Sequence, residues 1–549
     1  MSIGDHRHPD VAEPRAGVAS AWRHGSARGA RGELAGWVAV LLVTLAVLAT
    51  WAPSLTAALG DNHEGRILAR HALNVANAQQ DGLRESGWLS DWSPYVGDGG
   101  EQTSYAHHPP LLNLVYYGAA RVSPLALDTT MRATSYLLGV AMLPLGAAAL
   151  RRRGLSWAAT LAATIAVAVT PLFWVYGRIH GNVALLLAMT LMVVRVAEHR
   201  PIPRRELALA AAVSVAAIVA GYLGMAMGAL LGLWLLRRRG VDRVTVTLGV
   251  TMVVAALISV GYVIGSTGLS RVGSQLEMRT TGGGFTAGEF VERIATWARA
   301  LLPWWWRWLV LPVSLVAGLW DRRTRPLTVM GLIVTLVYVV GLPNGSFIHD
   351  YWILPILLPV WFGAAAAVEG LARRTGRAGT TATAATTGAG MAPRTVPVRS
   401  AVATGAGVAP RTDPVRSAVA TAAALALLLV VAGAAHGLRA GVPGEYLTTP
   451  QAAGELARTH APSDDQDVAW RTGGLAAPRW LSFYWDLPPA LLSEDDATTL
   501  GSRELVLVRI TAAPGWLGEA AAIEEAAREV RRGYAVLDGA AVQRLRTAA

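Results

Sequence analysis

Two carboxylates at the start of the first long hydrophilic loop are the strongest candidates for proton chemistry in this chain. Asp61 and Glu64 lie three residues apart in an amphipathic stretch, so they share one face of a helix, and His71 extends the same stripe. A carboxylate beside a bound hydroxyl can act as a general base. The structural alternative is a helix cap at Asp61 with Glu64 in the first turn, where negative charge is favourable. On the sequence alone, both interpretations stay open.

The same loop closes with a run of histidines and prolines. Tyr105 precedes His107 and His108, and Pro109 and Pro110 follow directly. The prolines predict an extended approach to the next helix. Histidine can donate to a phosphate or accept a proton near neutral pH, so these residues are predicted to line a site. The alternative is a pair of interfacial histidines without a chemical role.

Two further polar turns carry candidate site residues. Their candidate residues are Arg178, His180 and Asn182 in the first turn, and His349, Asp350 and Tyr351 in the second. An arginine on the outer face runs against the usual charge bias of membrane proteins, so Arg178 is better explained by an anionic ligand. With the first loop, these turns predict a polar rim around a cavity.

The composition is that of a polytopic membrane protein. Of 549 residues, 53% are hydrophobic and 15% are charged, against roughly 25% charged in average soluble domains. Apolar runs of about 17 to 25 residues recur, and such runs can cross a bilayer as helices. Cysteine is absent, which excludes disulfides, thiolate catalysis and cysteine-based zinc sites. Lysine is also absent, which is typical of a very GC-rich bacterial genome such as that of an actinomycete.

The arginine positions explain the net charge of +11 without a nucleic-acid partner. The arginines cluster in short loops between apolar runs, at 151–153, 204–205, 237–239, 322–325 and 373–377. This positive-inside pattern predicts that these loops and the N-terminus are cytoplasmic. The first loop and the polar turns then face the outside of a bacterial plasma membrane. The lipid bilayer is the expected partner.

Eleven spans are predicted, or thirteen if the short apolar segment 110–121 crosses together with another short segment. The predicted spans are 34–55, 131–150, 155–174, 181–197, 206–220, 222–237, 244–266, 301–320, 326–342, 351–370 and 418–437. Residues 1–33 are expected to form a disordered cytoplasmic tail. The membrane domain covers 34–370, with 56–109 as its first extracytoplasmic loop.

The last third of the chain changes in character. Residues 371–417 are a low-complexity segment in which 387–403 recurs almost verbatim at 404–420, and they are predicted to be a cytoplasmic linker. After the last span, strand-like and helix-like runs alternate over 443–549. The predicted fold class is therefore an all-α polytopic membrane domain with a small C-terminal extracytoplasmic α/β domain.

These features resemble the protein O-mannosyltransferase and aminoarabinose-transferase group of the GT-C superfamily, whose members use polyprenyl-phosphate sugars. The resemblance covers about 34–370 and rests on four segments. They are the acidic start of the first loop, the His-Pro-Pro-Leu run at its close, Met131-Arg132 at the head of the next span, and the His349-Asp350-Tyr351 entry to a proline-containing helix.

The resemblance implies a general base and a phosphate-binding set. The family's loop base matches Asp61, with Glu64 as the alternative, because Asn62 and His63 separate the two carboxylates here. By the same resemblance, His107, His108 and Pro109 would line the site, and Arg132 matches an arginine of the family pattern. The departing phosphate needs stabilising partners, which Arg178, Arg132 and the histidines at 107, 108 or 349 can provide. Arginine is best suited to bidentate phosphate contact.

The chain departs from the family pattern at two places. Where members often carry an acidic residue, this chain has His180 and Asn182, so no cofactor is certain and a divalent cation, Mg²⁺ or Mn²⁺, stays an alternative. The family's lysine after Pro-Pro-Leu is also missing, and Leu112 and Asn113 occupy that stretch.

The predicted function is the transfer of a sugar from a polyprenyl-phosphate donor to a hydroxyl acceptor, with inversion at the anomeric carbon. One alternative is a transporter or flippase of lipid-linked sugars, which would favour charges near the bilayer midplane and interrupted helices in an internal repeat. Neither feature is evident in the sequence. The other alternative, an inactive relative that serves as an assembly subunit, is kept open by the departure at Asn182.

Overall fold

The computed structural model describes most of the membrane domain and parts of the C-terminal domain 443–549, which is called the outer domain after its predicted location. The described residues are 27–60, 63–89, 109–179, 181–281, 284–387, 455–460, 469–472, 490–492, 496–500, 504–510, 513–531 and 534–548. Most of the predicted tail 1–33 and the predicted last span 418–437 lie outside them. The predicted combination of a helical membrane domain and a small C-terminal sheet is confirmed.

Helices account for nearly all of the described membrane domain. They are α1 (Ala27–Trp51), α2 (His63–Gln80), α3 (Leu111–Val122), α4 (Leu127–Arg152), α5 (Trp157–Ala168), α6 (Asn182–Glu198), α7 (Arg204–Val219), α8 (Tyr222–Arg239), α9 (Arg243–Thr267), α10 (Leu269–Thr280), α11 (Ala287–Leu301), α12 (Leu311–Trp320), α13 (Arg325–Val339), α14 (Pro343–Ile348) and α15 (Leu357–Thr387). Single π-helical turns at Phe173–Gly177 and Trp306–Val310 lead towards α6 and α12, and a 3₁₀ segment, Asp350–Ile356, leads into α15.

Some of these helices can cross a bilayer by their own length and hydropathy. Within the described ranges, four segments qualify: Gly32–Ser54, Leu127–Arg152, Arg243–Thr267 and Tyr351–Arg374. The pair Ala287–Leu301 and Trp306–Trp320, bent by 113°, would be a fifth. Helix α3 has 12 residues, or roughly 18 Å, and is too short to cross about 30 Å of hydrocarbon alone. The count of 11 or 13 spans stays a prediction.

The arginine-rich loops meet at one end of the helix bundle. Arg153 Nε donates to the carbonyl of Arg323 at 2.5 Å, and Arg239 Nη1 donates to the carbonyl of Val196 at 2.8 Å. Hydrogen bonds from arginine side chains thus connect loops that are distant in sequence at this end of the bundle. This is the arrangement expected when charges are kept out of the hydrocarbon.

The outer domain is built around a mixed five-stranded sheet. Its strands are β1 (Ala469–Thr472), β2 (Ala490–Leu491), β3 (Leu505–Arg509), β4 (Glu529–Arg531) and β5 (Tyr534–Asp538), in the order β2-β1-β3-β5-β4. β1 is parallel to β2 and β3, whereas β5 is antiparallel to β3 and β4. Helices α16 (Ala520–Ala526) and α17 (Gly539–Ala548) complete the described part.

The two faces of this sheet pack against different partners. Leu505 and Val536 belong to a buried cluster that includes α2 of the first loop, whereas Val506 and Leu537 pack against the outer domain's own helices. Alternate residues of a strand point to opposite faces, so continuous apolar strands are expected where both faces are covered. The outer domain is therefore seated on the first loop.

Two segments predicted as an outer loop and as a linker contain helix in the structure. The segment 267–300, predicted as an outer loop, contains the amphipathic helices α10 and α11. Helix α11 begins with a capping box, in which Thr286 Oγ1 accepts from the Glu289 amide at 3.2 Å. Helix α15 continues to Thr387 and so extends into the segment that was predicted as a linker from residue 371.

Candidate active site

A buried carboxylate holds two arginines at the end of the bundle opposite the arginine-rich loops. Arg132 Nε donates to Glu64 Oε1 at 2.8 Å, and Arg178 Nη2 lies 3.0 Å from Glu64 Oε2. The Tyr136 hydroxyl donates to Glu64 Oε1 at 3.1 Å and lies 2.8 Å from Ser54 Oγ. Glu64 is 2% exposed and Arg132 is 0% exposed. The network joins the end of α1, the start of α2, helix α4 and the turn before α6.

Local geometry explains how α4 and the turn before α6 meet at this carboxylate. Arg132 and Tyr136 are four residues apart and therefore lie on one face of α4. One turn further on, a Cβ atom on Gly139 would lie 2.2 Å from the carbonyl oxygen of Gly177 and 3.2 Å from Arg178 Cα. Only glycine allows this backbone approach. It places Arg178 beside the α4 face that carries Arg132.

Gly139→Ala is expected to lower the midpoint of thermal unfolding in detergent. The new methyl group would collide with backbone atoms, which cannot rotate away, and overpacking of this kind costs about 1–3 kcal/mol. Gly118→Ala in α3 is the matched control, because a Cβ there meets no atom within 4 Å and alanine favours helix. Equal midpoints for the two variants would contradict the close approach of α4 to the Arg178 turn.

Charge pairing controls the ionisation of Glu64. Burial alone would raise the pKa of this carboxyl, but the charges of Arg178 and Arg132 and the hydrogen bonds from Arg132 and Tyr136 outweigh burial and hold the pKa below its ordinary value. The carboxylate is therefore ionised near neutral pH, with its oxygens facing cations. A carboxylate in this state is a weak base and is well suited to orient the arginines.

A second cluster surrounds His349 at the mouth of α15. The ring centroids of His349 and Tyr351 lie 5.1 Å apart, and Tyr351 lies 6.0 Å from Tyr176. Tyr176 precedes Arg178 by two residues in the same turn. The aromatic contacts therefore connect this second cluster to the turn that carries Arg178.

Two arginines, Arg279 and Arg70, are among the described residues close to the second cluster. Arg279 of α10 lies over the Trp352 ring, with its Cζ atom 5.5 Å from the ring centroid. Burial lowers the pKa of His349 to about 4, and the charges of Arg279 and Arg70 act in the same direction. Among the described residues, Arg279 Nη1 is buried without a hydrogen-bond partner. Arginine and tyrosine side chains in this arrangement can bind a phosphate.

Helices α2 and α3 are joined by an oriented side-chain pair. Asn113 Nδ2 donates to the carbonyl of Leu89 at 2.8 Å, and Asn113 Oδ1 hydrogen-bonds to His71 Nδ1. Because the amide oxygen faces the ring, the neutral His71 carries its proton on Nδ1 and its lone pair on Nε2. Burial lowers the pKa of His71 to about 4, so the ring is neutral near pH 7. Asn113, in the stretch of the family's missing lysine, here makes an interhelical contact.

The comparisons with known proteins identify the fold. No protein-family model and no curated protein matches the chain. A crystal structure of ArnT from Cupriavidus metallidurans bound to undecaprenyl phosphate matches with a TM-score of 0.55 and 17% sequence identity, over 92% of this chain and 98% of that chain. The apo structure of that protein matches with a TM-score of 0.54 and 17% identity, over 93% and 98%. The chain has the ArnT fold.

Within the ArnT fold, the predicted residues fall into two connected groups. Glu64, Arg132 and Arg178 form the buried network, and His349 and Tyr351 belong to the second cluster. The expected resemblance to the aminoarabinose-transferase group is confirmed at the level of the fold. The roles predicted for individual residues stay predictions.

Other predicted residues are described only in part or not at all. Those outside the described residues are Asp61, Tyr105, His107, His108 and His180, and for Asp350 only the backbone is described. Pro109 is buried directly before α3. Asn182 is the first residue of α6, and its Oδ1 atom is buried without a hydrogen-bond partner in the described part of the chain.

The part of the chain that the structure describes contains no cluster of metal-binding side chains. Over the described ranges, no group of three or more His, Asp or Glu side chains could hold an ion. Glu64, the carboxylate nearest to the predicted base in sequence, is occupied by two arginines. The Mg²⁺ or Mn²⁺ alternative therefore has no donor set in this part of the chain.

Several residues of the two clusters were not among the sequence candidates. Tyr136 could have been found, because it follows Arg132 by one helical turn. Arg70 lies on α2 next to the His71 stripe and could also have been considered. The sequence pattern did not point to Arg279, because the helix that carries it was predicted only as part of the outer loop 267–300.

Proposed function

We propose that this protein is an integral-membrane glycosyltransferase that moves a sugar from a polyprenyl-phosphate carrier to a hydroxyl acceptor. The observation that carries the proposal is a cationic and aromatic cluster at one end of a membrane bundle with the ArnT fold. The matched ArnT structure was crystallised with undecaprenyl phosphate. A lipid phosphate fits this end of the bundle, because its anionic head would meet Arg279 and Tyr351 while its chain stays among apolar helices.

We assign the general base to Asp61 rather than to Glu64. A base must accept a proton from the acceptor, whereas the buried Glu64 has a lowered pKa and its two oxygens lie 2.8 and 3.0 Å from arginine nitrogens. Asp61 precedes Glu64 by three residues in the sequence and lies two residues before the first residue of α2. Of the two carboxylates considered as the general base, we therefore choose Asp61 and propose that Glu64 is a positioning residue.

Arg132 and Arg178 differ in how many of their donor groups are bound to the protein. All three donor nitrogens of Arg132 bond to protein acceptors, namely Glu64 and the carbonyls of Ala57 and Ala58, so Arg132 positions the loop. Arg178 keeps a buried Nε without a hydrogen-bond partner among the described residues. We therefore assign the leaving phosphate to Arg279, His349 and Tyr351, with Arg178 at the edge of the site.

The reaction that follows is a single displacement. Asp61 takes the proton of the acceptor hydroxyl while the oxygen attacks the anomeric carbon of the donor sugar. The bond from that carbon to the phosphate oxygen breaks, and the phosphate leaves with the electron pair and the added negative charge. Fixed cationic donors stabilise that charge as it develops. Attack opposite the leaving group inverts the anomeric centre.

Donor selection by the purified protein tests this proposal. The panel would contain one radiolabelled sugar on a long polyprenyl phosphate, the same sugar on a short-chain phosphate, and the corresponding nucleotide sugar. Transfer from the polyprenyl donors to hydroxyl acceptors, without transfer from the nucleotide sugar, is expected. Transfer from the nucleotide sugar alone, or passage of intact donor across proteoliposomes without transfer, would overturn it.

Donor affinity is expected to rise as the pH falls from 7 towards 4. A bound phosphodiester adds negative charge beside His349 and raises its pKa from about 4, so donor binding takes up a proton. For each unit by which donor binding raises the pKa of His349, donor affinity at a pH below both pKa values increases by up to about tenfold. Equilibrium binding of a non-titrating phosphodiester donor measures the slope.

His349→Gln should remove this pH dependence of donor affinity. His199→Gln is the control, because His199 lies at the arginine-rich end of the bundle, where it contacts the Arg195 carbonyl. An unchanged slope in the His349 variant, or affinity that decreases on acidification of the wild type, would contradict the assignment of His349 to the phosphate.

A further inference from the structure

The backbone that leads to Asp61 is held from the side of the outer domain. The amide of Ala58 donates to Glu455 Oε1 at 2.8 Å, and Arg458 Nη1 donates to the carbonyl of Thr56 at 3.3 Å. Glu455 and Arg458 belong to the helical segment 455–459 and pair with each other. Nearly 400 residues of sequence separate the two partners of each contact.

The same backbone is held from the side of the membrane bundle. Arg132 donates to the carbonyls of Ala57 and Ala58 and continues to Glu64. Ala58 therefore has its amide bound to the outer domain and its carbonyl bound to the bundle. The chain is therefore held at Ala58, three residues before Asp61 in the sequence, and again by the ion pairs of Glu64, three residues after it.

Apolar burial and a further ion pair support the docking of segment 455–459. Leu456 and Ala457 are fully buried in one cluster with Leu59 and Leu68. Arg458 also lies 3.8 Å from Asp128, in the first turn of α4. The segment thus contacts the loop, the loop helix and the membrane helix that carries Arg132.

We propose that Glu455 and Arg458 are positioning residues for sugar transfer, through which the docked outer domain sets the backbone at 56–59. This inference rests on the proposed function, because it assigns the positioned chemistry to Asp61. A displacement of about 1 Å in a reacting group can slow a reaction by about 10²-fold. Loss of the Glu455 contact should therefore reduce kcat and leave donor KM nearly unchanged, since the phosphate cluster is built from other elements.

The test compares Glu455→Leu with Glu455→Gln. Leucine cannot accept the Ala58 hydrogen bond, whereas the glutamine carbonyl can. We expect kcat of the leucine variant to fall about 10- to 100-fold at unchanged donor KM, and kcat of the glutamine variant to recover to within about threefold of the wild type. Glu524→Leu, on an exposed face of α16, is the matched control and should behave as the wild type.

Hydrogen exchange provides a readout that needs no substrate. Amides in residues 55–60 should exchange at least about tenfold faster in Glu455→Leu than in the wild type, while α4 stays protected. The inference is overturned if exchange and kcat are unchanged, or if kcat, KM and thermal stability all fall together, as in general unfolding. If the wild type transfers no sugar but exchange responds as expected, the proposed function fails while the positioning contact stands.

Discussion

Asp61→Asn should slow sugar transfer by about 10²- to 10⁴-fold, the usual contribution of a general base. The amide is similar in size to the carboxylate but cannot take the acceptor proton. Donor affinity should change little, because the residues assigned to the phosphate lie on α10 and at the mouth of α15. The initial rate of radiolabelled sugar transfer and equilibrium donor binding, measured on the same preparations, separate these two effects.

Asp81→Asn is the matched control for this substitution. Asp81 follows α2, is exposed, and belongs to the same loop of the chain. Its variant should retain the wild-type rate. Equal rates for wild type and Asp61→Asn would contradict the assignment of the base. A similar loss in both variants would indicate a general effect of charge in the loop instead.

Of the substitutions proposed for this protein, Arg132→Met should lower the free energy of unfolding the most. It removes one partner of a buried ion pair and frees the carbonyls of Ala57 and Ala58, while Glu64 stays in place. Breaking a buried pair from one side costs about 3–5 kcal/mol. Thermal unfolding in detergent at pH 7 measures the loss. Arg121→Met, at the exposed end of α3, should shift stability by no more than about 0.5 kcal/mol.

The ion pairs of Glu64 with Arg132 and Arg178 should also make the stability of the folded protein depend on pH. The pKa of Glu64 is lower in the folded protein than its ordinary value, so its contribution to stability is present above the unfolded pKa and is lost as the pH falls through the folded one. Wild-type stability should therefore decrease on acidification below about pH 4.5. The Arg132 variant should lose less over that window, and an equal loss would contradict the pairing.

Features set by local chemistry were predictable from the sequence. Apolar runs and arginine clusters identify the membrane class and the charged end of the bundle, because hydrocarbon excludes charge wherever it occurs. Strand-like runs near 504–510 and 534–537 correspond to β3 and β5, since apolar strands covered on both faces have a distinct pattern. The resemblance carried by the loop ends and by Arg132 indicated the fold that the comparison confirms.

Features set by distant contacts were not predictable in this way. The sequence places Glu64 among charged neighbours but does not reveal that it pairs with Arg132 and Arg178, because both partners come from other helices. Nor does it indicate that Arg279 approaches His349 or that Glu455 binds Ala58. Such contacts depend on how the helices pack, and hydropathy at one position carries no information about a partner about 70 to 400 residues away.

The most direct test of the central claim is the stoichiometry of product formation by the purified wild-type protein. A doubly labelled polyprenyl-phosphate sugar and a hydroxyl acceptor would be incubated, and both products counted. The proposed reaction predicts one polyprenyl phosphate released for each sugar transferred, with inverted anomeric configuration in the product. Donor that binds saturably but yields neither product would contradict the claim that this chain is a glycosyltransferase.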